Sequence, residues 1–180
     1  MVRGLKAACA TLPEKPDVQP AGELLVQAGA AFSDAAGGAS GALVGMFFMS
    51  TGQALTAQGD GPYGASAVVR ALAAGLETLK QMGQADVGDK TMIDTLAPFV
   101  HALGNAAVSA AAGGAGVAAA WQQALPAAEE GAASTAHMVA RKGRSSRLGE
   151  RSRGHVDPGA RSMLYMLQAF GDVLDKVCAG

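Results

Sequence analysis

The sequence predicts an all-α fold, an antiparallel up-and-down helical bundle or barrel, and three observations support this prediction. The periodic apolar segments of the 180-residue chain consist mainly of Ala, Leu and Met, which favour helices. Runs of β-branched residues are scarce and aromatic residues make up only 4% of the chain, so little of it favours strands. Short turns with glycine or proline separate the apolar segments, as is typical of antiparallel helices. A chain of this length is expected to form one domain and to bury roughly 70% of its unfolded surface.

Apolar residues at helical spacing predict seven helices, and glycine or proline marks most of their ends. The predicted helices are Met1–Leu12, Gly22–Asp34, Ala42–Gln58, Ser66–Met82, Met92–Ala107, Val117–Ala140 and Gly159–Val177. Pro13 ends the first helix, and Ser40, which follows a glycine turn, is the expected N-cap of the third. Pro126 is expected to kink or break the sixth helix, and the Ala- and Gly-rich residues 110–116 before it are a predicted flexible connection.

Several of the predicted helices carry an apolar stripe that is expected to face the core. The residues expected to be buried are Leu5, Ala8, Cys9 and Leu12 in the first helix; Leu24, Leu25, Ala28 and Phe32 in the second; Leu43, Met46, Phe47 and Leu55 in the third; and Met163, Met166, Leu167, Phe170, Leu174 and Val177 in the last. These stripes on successive helices fit the predicted bundle, because each helix buries one face against its neighbours.

Composition excludes several classes of protein. No apolar run approaches the ~20 residues that a membrane-spanning helix needs, and we expect no signal peptide at the start of the chain. Cys9 and Cys178 lie at opposite ends without metal-ligand spacing, which fits two reduced thiols in a cytoplasmic protein. The formal net charge is −1 and the basic residues are concentrated in one segment, so we expect neither a nucleic acid nor a membrane as partner.

That basic segment follows the sixth predicted helix. The basic loop (residues 141–153) contains six of the 14 Lys and Arg residues and one acid, Glu150, and glycines interrupt it, so a loop rather than a helix is predicted. Asp157 and Pro158 then indicate a helix start, with Asp as N-cap and Pro in the first position. A cationic loop leading into a helix N-terminus suits a phosphate-bearing ligand, since guanidinium and free amide groups donate to phosphate oxygens. A solvated basic loop and a nucleic-acid patch are the alternatives.

Three other glycine-bearing turns carry weaker signals. Residues 83–91 nearly match a Walker A loop, but Asp89 is inserted before the lysine and a helix precedes the turn, which excludes a P-loop. The turns at 37–41 and 114–116 follow no strand, so neither is a dinucleotide-binding fingerprint. Taken singly, each turn is explained by helix capping.

The titratable residues predict no catalytic residue and no metal ligand. Asp86 and Asp89 lie close together, but a capped or solvated turn explains them. His101, His137 and His155 have no acid, Ser or Cys partner at a spacing typical of a catalytic triad.

Four segments together resemble a known family. Residues 1–4 read MVRG, residues 37–41 GGASG, residues 88–92 GDKTM, and residues 142–160 KGRSSRLGERSRGHVDPGA. In this order they closely resemble signatures of the dihydroxyacetone kinase family, in its nucleotide-binding L subunit. One position departs, because Arg147 stands where the family usually has Tyr. The resemblance covers the whole chain and is weakest around residues 104–120.

The resemblance implies an eight-helix antiparallel barrel, with about seven of the helices present here, that binds ADP or ATP in the loops at one rim. The nucleotide-binding residues that it implies are Ala39 and Ser40 beside the phosphates; Gly83 and Met92 on the adenine and ribose side; Arg144, paired with phosphate oxygens; and Asp157, Pro158 and Gly159, which close the pocket at a helix N-terminus. Thr91 is a further candidate to which the resemblance gives no role.

The resemblance also implies magnesium, whose ligands we expect to be absent from this chain. The family's metal-binding aspartates lie in a motif of the form GDxDHGxNM, and this sequence begins at about the final Met of that motif. We therefore expect residues 1–180 to be a single L-type domain, truncated at its N-terminus. Two or three carboxylates normally hold the metal ions that bridge the phosphates, and no such cluster occurs here.

Two functions stay open at this point. The first is the ADP- or ATP-binding subunit of a dihydroxyacetone (glycerone) kinase, which transfers a phosphoryl group to a small ketose held on a partner K subunit. A phosphotransferase-system M subunit is a further implied partner, and a homodimer is an alternative assembly. The second function is a non-catalytic helical module that contacts a kinase subunit or a regulator.

Overall fold

The computed structural model describes residues 1–13, 19–59, 62–111 and 113–178, and over these ranges it contains helices and turns but no strand. Its α-helices are α1 (Val2–Ala10), α2 (Ala21–Ala36), α3 (Gly38–Thr56), α4 (Ala65–Gly83), α5 (Ile93–Ala107), α6 (Gly114–Ser134) and α7 (Pro158–Cys178). Two 3-10 segments, Thr135–His137 and Arg144–Ser152, lie between α6 and α7. The all-α prediction is confirmed. The predicted connection at 110–116 includes residue 112, which lies outside the described residues, and its last residues belong to α6.

The chain divides into two compact units. The first comprises residues 1–62 and 70–84, and the second comprises residues 63–69 and 85–180. None of the described helices is both long enough and apolar enough to cross a membrane.

In the first unit, α2 and α3 pack so closely that glycine is required at their contact. A Cβ atom added at Gly29 would lie 2.7 Å from the Gly45 carbonyl oxygen, and one added at Gly45 would lie 2.7 Å from the Gly29 carbonyl oxygen. Gly22 meets Gly52 in the same way, so the two helices run antiparallel. The buried face of α2 therefore contains Gly22 and Gly29, whereas the predicted leucines are only half-buried. The apolar pattern did not predict this face, because it detects large apolar side chains and not the glycines at which two backbones approach closely.

Aromatic rings fill the remainder of this core. Phe32 is completely buried and meets Phe48 edge-on, with ring centroids 5.9 Å apart. On α1, Gly4 and Ala8 are the buried residues, and a Cβ atom added at Gly4 would lie 2.8 Å from the Phe32 ring. The prediction for Ala8 is confirmed. The predictions for Leu5, Cys9 and Leu12 are wrong. The helix α1 approaches the ring through its smallest residues and leaves Leu5 and Cys9 exposed, and the exposed Leu12 lies beyond the end of α1.

In the second unit, α5, α6 and α7 pack around Trp121. Its indole Nε1 donates a hydrogen bond to the Leu167 carbonyl oxygen at 2.9 Å, and its ring meets Phe99 edge-on at a centroid distance of 4.8 Å. The helix α6 passes through Pro126 without ending there, and it stops at Ser134 rather than near Ala140. Of the two alternatives predicted at Pro126, the break is therefore wrong, and the kink stays a prediction.

Three of the six residues predicted to be buried on α7 are not buried: Phe170 and Val177 are exposed, and Leu174 is half-buried. Met163, Met166 and Leu167 are buried as predicted. Phe170 and Val177 are 46% and 73% exposed, because α6 approaches α7 at Gly171, where an added Cβ atom would lie 3.1 Å from Trp121 Cδ1. The line of closest packing on α7 therefore runs through a glycine that the apolar pattern does not register.

Candidate functional site

A tight turn at residues 88–91 precedes α5, and a buried aspartate holds it. Asp94 lies in the first turn of α5 and is 2% exposed. Its carboxylate accepts hydrogen bonds from the Gly88 amide at 2.6 Å and from the Thr91 amide at 2.7 Å. A carboxylate at a helix N-terminus is also stabilised by the helix dipole. Asp94 therefore fixes the backbone of the turn from both sides of Lys90.

The ammonium group of Lys90 is buried beneath this turn. Lys90 is 3% exposed, and its Nζ donates to the carbonyl oxygens of Thr135 at 2.5 Å, His155 at 2.7 Å and Met138 at 3.2 Å. Thr135 and Met138 precede the basic loop and His155 follows it, so one side chain joins both ends of the loop to the 88–91 turn. In the sequence, Lys90 belongs to the imperfect Walker A match and to the family-like segment 88–92, but no local pattern reveals this role.

The basic loop itself is more regular than predicted. Residues Arg144–Ser152 form 3-10 turns that are interrupted at Gly149, whose φ of 53° and ψ of −132° are not helical. The buried Ser152 hydroxyl accepts from the Ala140 amide at 2.9 Å, and the Gly154 amide donates to the Ala136 carbonyl oxygen at 2.8 Å. These bonds close the base of the loop.

The arginines of the loop differ in their contacts. Arg153 donates to the His137 carbonyl oxygen at 3.2 Å and pairs with Glu150 at 3.3 Å. The side chains of Arg144 and Arg147 are exposed, and neither pairs with an acid among the described residues. Arg144 is therefore available to an anionic ligand, whereas Arg153 is already engaged.

The predicted start of α7 is confirmed. Asp157 is its N-cap, with Oδ2 accepting from the Ala160 amide at 2.9 Å, and Pro158 occupies the first helical position. The Asp157 amide donates to the completely buried Thr135 hydroxyl at 2.9 Å. Thr135 thus connects the N-cap of α7 to the segment that Lys90 holds.

The beginnings of α5 and α7 lie side by side. A Cβ atom added at Gly159 would lie 3.6 Å from the Met92 amide nitrogen and 2.8 Å from Asp157 Oδ2. The Thr95 hydroxyl donates to the Ala160 carbonyl oxygen at 3.1 Å, which fixes the two helix starts against each other. Gly159 therefore keeps a narrow space open in which a side chain would collide with the N-cap.

Burial raises the pKa of the Asp157 carboxyl group above its ordinary value of 3.8. Hydrogen bonds from the Ala160 and Gly159 amides and the charge of Lys90 oppose this increase, and the charge of Asp94 adds to it. A carboxyl group whose pKa is higher in the folded state stabilises the fold most below its unfolded pKa. That contribution is lost as the pH rises through the folded pKa.

Replacement of Asp157 should separate its capping role from its charge. We expect Asp157→Ala to lower the free energy of unfolding by about 1 kcal/mol through loss of the N-cap, whereas Asp157→Asn keeps the cap. Because the folded pKa is raised, the Asn variant should gain stability relative to the wild type as the pH rises from about 4 towards 7. Urea unfolding of the three proteins across this range measures both effects. A loss in the Asn variant as large as that in the Ala variant would contradict the capping role.

The start of α3 differs from the prediction. This helix begins at Gly38 after Gly37, whose φ is 64°, and no side chain caps it. Ser40 is therefore not the N-cap but lies in the first turn, exposed, next to the exposed Ala39. The two glycines allow the sharp reversal after α2, so the helix starts earlier than the serine suggests. The first-turn amides have no acceptor within the helix, which leaves them to solvent or a ligand.

Comparison with known proteins identifies the family. The sequence profile of the DAK2 domain matches residues 1–172. The chain belongs to the DAK2 domain family. The ADP-binding subunit DhaL of the PEP-dependent dihydroxyacetone kinase of Escherichia coli K12 is 37% identical over 168 residues, which cover 93% of this chain and 77% of that subunit. The resemblance to the L subunit is thereby confirmed.

Other DAK2 relatives are longer kinases. The L-erythrulose 1-kinase of Mycolicibacterium smegmatis is 41% identical over 152 residues, which cover 84% of this chain but only 25% of that protein. The crystal structure of the dihydroxyacetone kinase of C. freundii superposes with a TM-score of 0.59 at 31% identity, covering 84% of this chain and 24% of that one. A second structure of the same kinase, in complex with AMP-PNP and Mg²⁺, superposes with a TM-score of 0.58.

The second unit of this DAK2 domain brings together some of the predicted site residues. Met92 and Gly159 adjoin, with Asp157 and Pro158 beside them, and Arg144 projects from the loop that Lys90 secures. The remaining predicted residues, Ala39, Ser40 and Gly83, belong to the first unit. The nucleotide-binding role of all eight stays a prediction.

The residues that the structure describes do not fit a magnesium site. No group of three or more His, Cys, Asp or Glu residues that could hold a metal ion occurs in the described ranges. The buried carboxylates of Asp94 and Asp157 are committed to backbone amide donors. Hard cations such as Mg²⁺ require oxygen ligands that are free to coordinate them.

Proposed function

We propose that this DAK2 domain binds ADP or ATP and acts as the nucleotide-carrying subunit of a dihydroxyacetone-type kinase. The observation that carries this proposal is the polar cluster of Lys90, Thr135 and Asp157, which joins the 88–92 motif to the basic loop and to the start of α7. An anionic ligand is favoured there because the second unit contains the exposed guanidinium group of Arg144 and the N-termini of α5 and α7. The DhaL relatives, which are named as ADP-binding subunits, support a nucleotide as that ligand.

Six of the eight predicted residues have a chemically reasonable contact in this proposal. Arg144 pairs with phosphate oxygens, and the first turn of α3 at Ala39 and Ser40 donates amide and hydroxyl hydrogen bonds. The Met92 thioether packs on the flat adenine ring, and Gly83 and Gly159 allow the backbone to approach the ligand closely.

Phosphoryl transfer to a small ketose requires more than this chain supplies. We expect a partner K subunit to hold the ketose, with an M subunit or a second copy of the chain as further candidate partners, in the cytoplasm. Because the described residues do not fit magnesium, we expect the isolated chain to bind ADP weakly and independently of Mg²⁺, without kinase activity. The same observation favours the second candidate, a non-catalytic module that contacts a kinase subunit or regulator.

Arg144→Ala should weaken ADP binding by roughly ten- to hundred-fold, the effect of losing about 1.5–3 kcal/mol of charge-assisted hydrogen bonding. Arg147→Ala is the matched control, because it removes another exposed arginine of the same loop. Arg153→Ala is a poorer control, since it also breaks the bond to the His137 carbonyl oxygen. Isothermal titration calorimetry with ADP measures the three affinities.

Two outcomes would argue against the nucleotide site. Equal losses at Arg144 and Arg147 would indicate a diffuse basic surface that attracts any polyanion. Absence of ADP binding by the unmutated chain would exclude the first function and favour the non-catalytic module.

A further inference from the structure

Lys90 is a buried cation, and no carboxylate among the described residues forms a hydrogen bond with it. Its ammonium group has three donors, and the three carbonyl oxygens of Thr135, Met138 and His155 accept them. Burial of a charge is costly unless hydrogen bonds compensate for the lost hydration. An apolar residue of similar length would fill the space but would leave three carbonyl oxygens without this donor. The lysine therefore serves a purpose beyond filling the core.

The backbone at Lys90 is also held in an unfavourable conformation. Its φ is 61°, in the left-handed region that residues with a Cβ atom rarely adopt. The Asp94 carboxylate maintains this conformation by accepting hydrogen bonds from Gly88 and Thr91, on either side of the lysine. Strain of this kind persists where the surroundings impose it, and it is concentrated at functional sites.

The three acceptors lie on the segments that enter and leave the basic loop. Beside them, the Arg141 amide donates to the carbonyl oxygen of Asp89 at 3.2 Å, so the residue before Lys90 also holds the loop. Thr135 adds a second connection, because its carbonyl oxygen binds Lys90 while its hydroxyl accepts from the Asp157 amide. Removal of the ammonium group would therefore loosen both the loop that carries Arg144 and the N-cap of α7.

We propose that Lys90 is the positioning residue of the nucleotide site: its ammonium group clamps the base of the basic loop and thereby sets the location of Arg144. This inference rests on the proposed nucleotide-binding function. Lys90 lies behind the loop and contacts carbonyl oxygens, so it acts through Arg144 and through the α7 N-cap and does not touch the ligand itself.

Lys90→Met tests this role by removing the donors while keeping an unbranched apolar side chain. Lys142→Met is the matched control, because it removes the same charge from an exposed position of the basic loop. Amide hydrogen exchange followed by mass spectrometry should show exchange on the order of tenfold faster over residues 135–157 in Lys90→Met, with α2 and α3 unchanged. The control should exchange as the wild type does. This measurement needs no nucleotide.

A double-mutant cycle on ADP affinity distinguishes positioning from general stabilisation. In the wild type, Arg144→Ala is expected to cost roughly ten- to hundred-fold in affinity. In the Lys90→Met background the same change should cost less than about threefold, because Arg144 is no longer held in place. Equal costs in the two backgrounds would overturn the proposal.

The remaining outcomes also decide the question. Unchanged exchange over residues 135–157 would overturn the clamp itself, whether or not ADP binds. If the wild type does not bind ADP but exchange is faster in Lys90→Met, the clamp stands and the proposed nucleotide-binding function is wrong. The role of Lys90 in a nucleotide site would then be overturned as well. If Lys90→Met does not fold, Lys90→Gln, which keeps two donors, replaces it in both measurements. Unfolding of both variants would show a global structural role and would overturn the proposal.

Discussion

Phe99→Ala should lower the free energy of unfolding by about 3–5 kcal/mol, as expected for loss of a buried aromatic side chain. Phe99 is completely buried between α5 and α6 and meets the Trp121 ring at 4.8 Å. Phe170→Ala is the matched control, because Phe170 contacts the same ring at 6.1 Å but is 46% exposed. We expect the control to cost about 1 kcal/mol or less, since nearly half of this residue is already exposed to solvent.

Trp121 reports this difference directly, because it is the single tryptophan of the chain. Its fluorescence during urea unfolding gives the free energy of unfolding for both variants and the wild type. Equal losses for Phe99→Ala and Phe170→Ala would mean that another molecule covers the exposed face of α7 in solution. Unfolding midpoints that rise with protein concentration would then identify that molecule as a second copy of the chain.

The helices could be predicted from the sequence where their signals are local. The fourth helix was expected over Ser66–Met82 and is observed over Ala65–Gly83, because helix-forming residues and glycine ends specify it without help from neighbours. The buried faces were harder to predict. Leu5 and Val177 look like core residues, yet both are exposed, since the closest contacts of α1 and α7 run through Gly4 and Gly171.

In the candidate site, too, features with a local sequence signal could be predicted and features that depend on distant contacts could not. Asp157 could be recognised as an N-cap because its acceptor role involves an amide only three residues away. The contacts of the Lys90 ammonium group could not be recognised from the sequence, because two of its acceptors, Thr135 and His155, lie 45 and 65 residues further along the chain. Only the fold brings these groups together. The family resemblance singles out whole segments such as residues 88–92 and 142–160, but a motif does not say which of its residues binds a ligand and which supports the loop.

Gly45→Ala should lower the free energy of unfolding by about 2–3 kcal/mol, because a single methyl group would force α2 and α3 apart. The added Cβ atom would lie 2.6 Å from Ser33 Cβ and 2.7 Å from the Gly29 carbonyl oxygen, closer than such atoms approach in folded proteins. The Gly29 oxygen belongs to the backbone and Ser33 Cβ is fixed directly to it, so neither neighbour can move away by rotation of a flexible side chain. Urea unfolding followed by far-ultraviolet circular dichroism measures the loss.

Gly104→Ala should instead raise the free energy of unfolding. Gly104 also lies inside a helix, but a Cβ atom there would meet only Val69 Cγ1, at 3.7 Å. Alanine should therefore stabilise α5 by about 0.5–1 kcal/mol, the usual gain over glycine in a helix interior. A gain at both positions would show that α2 and α3 tolerate separation.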